Sequence, residues 1–261
     1  KRGPVEAFGA GFELAPGDIA LRANFATIEH RDGACLVIDR RAGRITSGTK
    51  ELAASLTDID LGDGVSASMV STDQHRAALV FKGAGLSDAI SDTDPGDQSM
   101  PAALEDCRAL APGAEFTAAK INLFVSKARN ILAGHPVNVA RLGNGKPAAS
   151  GVITRGAGSF VEIDNLLQLR GVKAAVVSGC NTVTGLGRLF GFNTINDPRF
   201  TADINTDLGA KIAAAVSALK HHDMVFVHVK APDICSHDRQ PLAKRDFLER
   251  LDHNLKPLLD A

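Results

Sequence analysis

The chain has 261 residues, 44% of them hydrophobic and 23% charged, with a formal net charge of -1. That is enough apolar side chain for one large domain or two modest ones, and the balanced charge argues against a nucleic-acid or membrane surface as the main partner. Cys35, Cys107, Cys180 and Cys235 lack C-x-x-C spacing, so neither a disulfide framework nor a structural zinc site is expected.

The opening segment "KRGPVEAFGAGFELAPGD" has no apolar signal core, and no long apolar run follows, so a cytoplasmic protein is expected. Residues 9 to 147 read as an α+β unit, with strand-like "DIALRANFATI", "GACLVID" and "AALVFKG", a short helix near "TKELAASL" and a long one within "EFTAAKINLFVSKARNILAGH". In the first strand Arg22 and Asn24 are two apart and leave one face, where a polar pair needs partners. After the second strand, "IDRRAGR" offers Asp39, Arg40, Arg41 and Arg44, guanidiniums able to hold an anion through paired hydrogen bonds. His75 and Arg76 stand at the start of the third, and "SDTDPGD" places Asp92, Asp94 and Asp97 in a turn-prone stretch.

"HPVNVARLGNGKPAAS" carries Pro, Gly and Asn between two patterns and places the unit boundary at residue 147. From 148 onward strands and helices alternate: "ASGVITRGAG" (strand), "VEIDNLLQLRG" (helix), "VKAAVVSG" (strand), "NTVTGLGRLFG" (helix), "TDLGAKIAAAVSALKHH" (helix), "DMVFVHVKAP" (strand) and "PLAKRDFLERLDHNLKPLL" (helix). That rhythm is expected of a parallel sheet covered by helices. Arg155 precedes glycines whose amides suit an anion. Gly185, Gly187 and Gly191 are spaced one residue too long for a dinucleotide fingerprint and fall within a helix pattern, which argues against that reading. Lys173 starts a strand. In "HVKAPDICSHD", Asp233 and His237 are read as a loop beyond a strand end, suited either to a divalent metal or to capping the next helix.

In order, "RGPVEAFGAGFELAPGDIALRANFATI", "IDRRAGRI", "HRAALVFKG", "NGKPAASGVITRGAG" and "VFVHVKAPDICSHD" resemble the archaeal-type cofactor-independent (2,3-bisphosphoglycerate-independent) phosphoglycerate mutases over nearly the whole chain. The resemblance implies an α/β fold of the alkaline phosphatase superfamily: a parallel-sheet domain with a dinuclear metal site and a phosphorylated serine, interrupted by an inserted substrate-binding α+β domain. On that plan residues 1 to 8 are an edge of the phosphatase-like domain, 9 to 147 the insert, and 148 to 261 part of the metal-binding domain. Asp233 and His237 would be ligands of one metal, with Mn2+ expected first and Mg2+, Zn2+ or Co2+ as alternatives. Arg22, Asn24, Asp39, Arg40, Arg41 and Arg44, with His75, Asp94 and Arg155, would face a small phosphorylated substrate. Lys173 would be a cation beside the transferring phosphoryl group.

The family's first Asp ligand and serine loop do not precede Lys1, and its T-G-D-H segment does not follow Ala261, so the sequence reads as an internal fragment that is inactive by itself. The whole enzyme is expected to interconvert 3-phosphoglycerate and 2-phosphoglycerate through phosphoserine, without 2,3-bisphosphoglycerate. Two rivals remain at this level: a homoserine kinase-like homologue acting on another small acceptor, and a non-catalytic anion-binding module.

Overall fold

A computed structural model describes residues 1–96, 98–160 and 164–259, and the chain divides into two compact units, Lys1–Glu162 and Ile163–Ala261. The first holds α1 (Arg2–Gly9), β1 (Ile19–Arg31), β2 (Ala34–Asp39), α2 (Thr49–Ala54), β3 (Ile59–Asp60), β4 (Ser66–Ser71), β5 (Arg76–Lys82), β6 (Ala102–Ala103), α3 (Glu115–Ala133), α4 (Pro136–Gly143) and β7 (Gly151–Ser159). The second holds α5 (Leu166–Leu169), β8 (Ala174–Val177), α6 (Asn181–Leu189), β9 (Asn193–Ile195), α7 (Leu208–Leu219), β10 (Met224–Val227), α8 (Ala231–His237) and α9 (Pro241–Leu259).

In the first unit every described pairing is antiparallel, in the order β3-β4-β5-β1-β2-β6, and β7 pairs with the first part of β1 beside β2. The long strand β1 is buried on both faces from Ile19 to Ile28, which requires two separate sets of partners. Ile19, Leu21, Ala23 and Phe25 enter the main core with Leu79, Phe81 and the α3 residues Ile121, Phe124, Ala128 and Leu132. Those α3 positions recur every three or four residues and form one apolar stripe; Phe81 and Phe124 meet edge to face, centroids 5.6 Å apart. The even-numbered β1 residues face the other way, with Ala20 against Ala7 of α1 and Ala26 and Ile28 against Val37 and Ile153. Helix α1 lies directly on the strand: a Cβ on Gly3 would stand 2.0 Å from the carbonyl oxygen of Ala20, so only glycine permits the approach.

The unit boundary therefore differs from the expected one. Strand β7, whose alternation with helices in sequence suggests a parallel sheet, belongs to the antiparallel sheet, and the division falls after residue 162 instead of 147. Residues 2–9 pack against β1, β5 and β7 of the first unit. Alternating patterns reveal that strands exist but carry no information about their partners.

The second unit has a parallel sheet in the order β10-β8-β9. Val177, Phe200 and Ala215 of α7 form one small core, and Leu208, Ala231 and Phe247 another. Asp207 caps α7 by accepting from the Ala210 amide at 2.8 Å. Within the expected helix at "VEIDNLLQLRG", Leu166–Leu169 are helical; residues 161–163 lie outside the described residues. Residues 231 to 237, expected as a loop, form helix α8 instead, with Pro232 in its first turn, where a missing N–H costs nothing. Among the described residues no helix is long and apolar enough to cross a membrane.

Candidate functional site

The even face of β1 carries a buried polar cluster between its two apolar patches. Arg22 and Asn24 are 5% and 6% exposed. Ladder registry sets Arg22 opposite Arg155 of β7 and Asn24 opposite Arg76 of β5, and residues directly opposite share a face. Glu6 of α1, itself buried, brings Oε1 to 4.0 Å from Arg22 Nε.

The segment 91–96 is stitched to β7 next to Arg155. Thr93 and Thr154 exchange hydroxyl and main-chain hydrogen bonds, and the Asp94 amide donates to the Thr154 carbonyl at 3.2 Å. This fixes the Asp94 carboxylate, almost wholly buried, 2.7 Å from both Nη2 and Nε of Arg40 and 3.9 Å from Nε of Arg155. Asp97 lies outside the described residues. A chain of charge thus runs Arg40, Asp94, Arg155, Arg22, Glu6, with the like charges of Arg155 and Arg22 adjacent and Arg76, Asn24 and His75 beside them.

Positive charge exceeds negative on this face: four guanidiniums (Arg22, Arg40, Arg76, Arg155) stand against two carboxylates (Glu6, Asp94). Burial, followed by the charges of Arg76 and Arg155, lowers the Arg22 pKa to about 10, still protonated at neutral pH, while Glu6 opposes the shift. Burial, then Arg76, Arg41 and Arg22, presses His75 down to about 4, so its imidazole is neutral. Nε of Arg22, Arg76 and Arg155, Oδ1 of Asn24 and Nδ1 of His75 are all buried without a hydrogen-bond partner. Buried polar atoms are normally paired, so the three open guanidinium N–H donors, with the Asn24 Oδ1 acceptor and His75 Nδ1, mark a departure from that rule at the same place as the surplus charge.

Asp39, expected to face the substrate, is held by main-chain hydrogen bonds of its own turn. Its carboxylate accepts from the amides of Arg41 and Gly43, at 2.7 and 2.8 Å, and holds a turn in which Ala42, Gly43 and Arg44 all have positive φ (46°, 66° and 55°). It shapes the turn that aims Arg40 at Asp94. Arg41 is exposed but close enough for its charge to act on His75, and Arg44 is exposed at the end of the turn.

Two members of the cluster escape assignment from sequence. Arg76 joins through its register with Asn24, which only strand pairing reveals. Glu6 lies within the first family-like segment without a role assigned to it there, and joins because α1 rests on β1.

In the second unit, Asp233 and His237 sit one turn apart on α8, with Asp233 Oδ1 3.7 Å from His237 Nε2. An oxygen and a nitrogen donor at that separation fit two positions of one divalent-metal shell. The Lys230 ammonium holds the Asp233 carboxylate and, with His237, keeps its pKa below the usual range, so a metal ion would have to displace it. Among the described residues no third His, Cys, Asp or Glu completes a metal-binding group. Asp233 lies in the first turn of α8, whose N-cap residue is Lys230.

Lys173 does not join Asp233 and His237. It is exposed, its amide donates to Asp223 at 2.8 Å, and it immediately precedes β8. Because β8 and β10 are parallel, Lys173 stands at the opposite strand ends from those that feed α8. Lys173, expected beside a transferring phosphoryl group, thus lies at the strand ends away from α8.

A sequence profile for 2,3-bisphosphoglycerate-independent phosphoglycerate mutase matches residues 2–138. Relatives given that name include one from Ignicoccus hospitalis, 42% identical over 99% of this chain and 63% of its own length. Another, from Archaeoglobus fulgidus, is 40% identical over the same shares. The solved cofactor-independent phosphoglycerate mutase of Thermoplasma acidophilum is 36% identical, with a TM-score of 0.64 over 98% of this chain and 65% of that one. A solved protein of Pyrococcus horikoshii is 28% identical, with a TM-score of 0.75, and the match covers 99% of this chain and 59% of that one. The chain thus spans about 63% of the length of the curated relatives it matches.

Proposed function

Since this chain belongs to the 2,3-bisphosphoglycerate-independent phosphoglycerate mutase family, we propose that it serves the interconversion of 3-phosphoglycerate and 2-phosphoglycerate in the cytoplasm. The reading supposes phosphoryl transfer through a phosphoserine, without 2,3-bisphosphoglycerate. It takes the first unit as the substrate-binding insert and the second as part of a parallel-sheet, alkaline-phosphatase-like domain.

The observation that carries the reading is the surplus of buried, partly unpaired guanidinium donors on one face of β1, β5 and β7. A phosphoglycerate carries a phosphate and a carboxylate, and planar guanidiniums bind both through paired N–H donors. Each charge-assisted contact is worth about 1.5 to 3 kcal/mol. Neutral His75 and Asn24 add hydrogen-bonding groups without charge, suited to the substrate hydroxyl. Asp94 anchors Arg40 from behind, and Glu6 balances Arg22.

Asp233 and His237 would hold a divalent metal, Mn2+ first and Mg2+, Zn2+ or Co2+ as alternatives. Such an ion, when bound, lowers the pKa of a nucleophilic hydroxyl and neutralises charge building up on a phosphoryl group. The neighbouring Lys230 ammonium keeps Asp233 ionised, and the ion would have to displace it.

The full-length protein, supplied with Mn2+ and no 2,3-bisphosphoglycerate, is expected to convert 3-phosphoglycerate to 2-phosphoglycerate, followed by phosphorus NMR. Asp233→Ala should abolish the conversion. A protein that turns over only when 2,3-bisphosphoglycerate is added, or whose Asp233→Ala variant keeps full activity, contradicts the reading.

A further inference from the structure

The geometry points to Lys211 of α7 as a positioning residue for the Asp233–His237 pair, acting through the main chain that leads into α8. This rests on the reading of that pair as metal ligands. Lys211 is 1% exposed and counts among the largest fully buried side chains. Its ammonium donates to two carbonyl oxygens, Thr201 at 3.2 Å and His228 at 3.3 Å.

An ammonium taken out of water is costly unless its donors are used. Here they tie together segments that no described strand ladder joins directly. Residue 228 is fixed from two sides: its amide donates to Val177 of β8 at 2.9 Å, and its carbonyl accepts from Lys211. Three residues later α8 begins at Ala231, which is fully buried against Leu208, also of α7, and Phe247. One helix therefore sets both the height of His228 and the seat of Ala231, and the turn carrying Asp233 and His237 follows from those two anchors. The Asp233 and His237 side chains are themselves half to largely exposed, so packing around them does little to fix their direction. Without the Lys211 donors, two half-buried carbonyls lose a partner and the helix start is held from one side only.

The test uses the full-length protein and its Lys211→Met and Lys211→Gln variants. Mn2+ affinity is measured by calorimetry, and 3-phosphoglycerate affinity for the metal-free protein is measured in parallel. Loss of a group that orients metal ligands commonly weakens binding by roughly tenfold or more, so Lys211→Met should raise the Mn2+ dissociation constant about tenfold. Lys211→Gln, whose amide can keep one carbonyl, should raise it less, about threefold. Binding of 3-phosphoglycerate should be unchanged, and kcat should fall with KM constant; a merely structural role would lower thermal stability and leave the Mn2+ constant of the folded protein where it was. An unchanged Mn2+ constant in Lys211→Met overturns the proposal, and if that variant does not fold, an unchanged constant in folded Lys211→Gln does so. Failure of the parent protein to bind Mn2+ overturns the underlying reading of Asp233 and His237 and this inference with it.

Discussion

Arg22 and Arg155 stand directly opposite each other across the β1–β7 ladder, two guanidiniums on one buried face. Like charges in opposed positions repel, and Glu6 and Asp94 offset the repulsion only in part, at 4.0 and 3.9 Å. An anion that bridges the two arginines relieves it. Inorganic phosphate is accordingly expected to raise the thermal midpoint of the chain. Arg155→Met should leave the phosphate-free midpoint unchanged or higher, because Asp94 keeps Arg40, while most of the phosphate-dependent rise disappears. Scanning calorimetry with and without phosphate decides it; a rise of full size in Arg155→Met would remove Arg155 from the site.

Arg40 and Asp94 form the most closely paired contact of the cluster, and Asp94 is the more deeply buried partner. Removing Arg40 strands a carboxylate, so Arg40→Ala should destabilise the first unit by about 3 kcal/mol. Arg40→Ala with Asp94→Ala should recover part of that loss in urea denaturation. If the double variant is as unstable as the sum of the single ones, the two residues are not coupled.

His75 supplies a pH dependence with a defined sign. Its folded-state pKa, about 4, lies below the ordinary value of 6.5, so between those pH values the unfolded chain binds the extra proton. Stability is therefore full above about pH 6.5 and declines as pH falls toward 4, by up to roughly 3 kcal/mol at 1.36 kcal/mol per pH unit. In His75→Asn the slope of stability against pH across this window should flatten. A slope that survives the substitution belongs to other groups.

The 261-residue chain assayed alone is expected to show no mutase turnover, because its described residues bring only Asp233 and His237 to a site that needs about three protein ligands. Conversion of 3-phosphoglycerate in proportion to added chain would refute this.

Much of the site can be read from sequence wherever chemistry follows from local pattern. The two-residue spacing of Arg22 and Asn24 predicts a shared strand face, and the four-residue spacing of Asp233 and His237 predicts proximity, which α8 delivers even though that stretch is expected as a loop. What sequence cannot show is registry and strand direction. Arg76 and Glu6 enter the cluster through pairing and helix docking, β7 leaves its apparent parallel series for β1, and Lys173 falls at the strand ends away from α8. Nor does sequence show that Asp39, next to three arginines, accepts from the backbone amides of its own turn.

The most direct test of the central claim is a titration of 3-phosphoglycerate into the metal-free chain, followed by amide chemical shifts. Shifts are expected at residues 22–24, 40–44, 75–76 and 155, with binding weakened at least about tenfold, or 1.4 kcal/mol, in Arg40→Ala. Shifts confined to other regions, or an affinity unaltered by Arg40→Ala, would contradict the assignment of this face as the phosphoglycerate site.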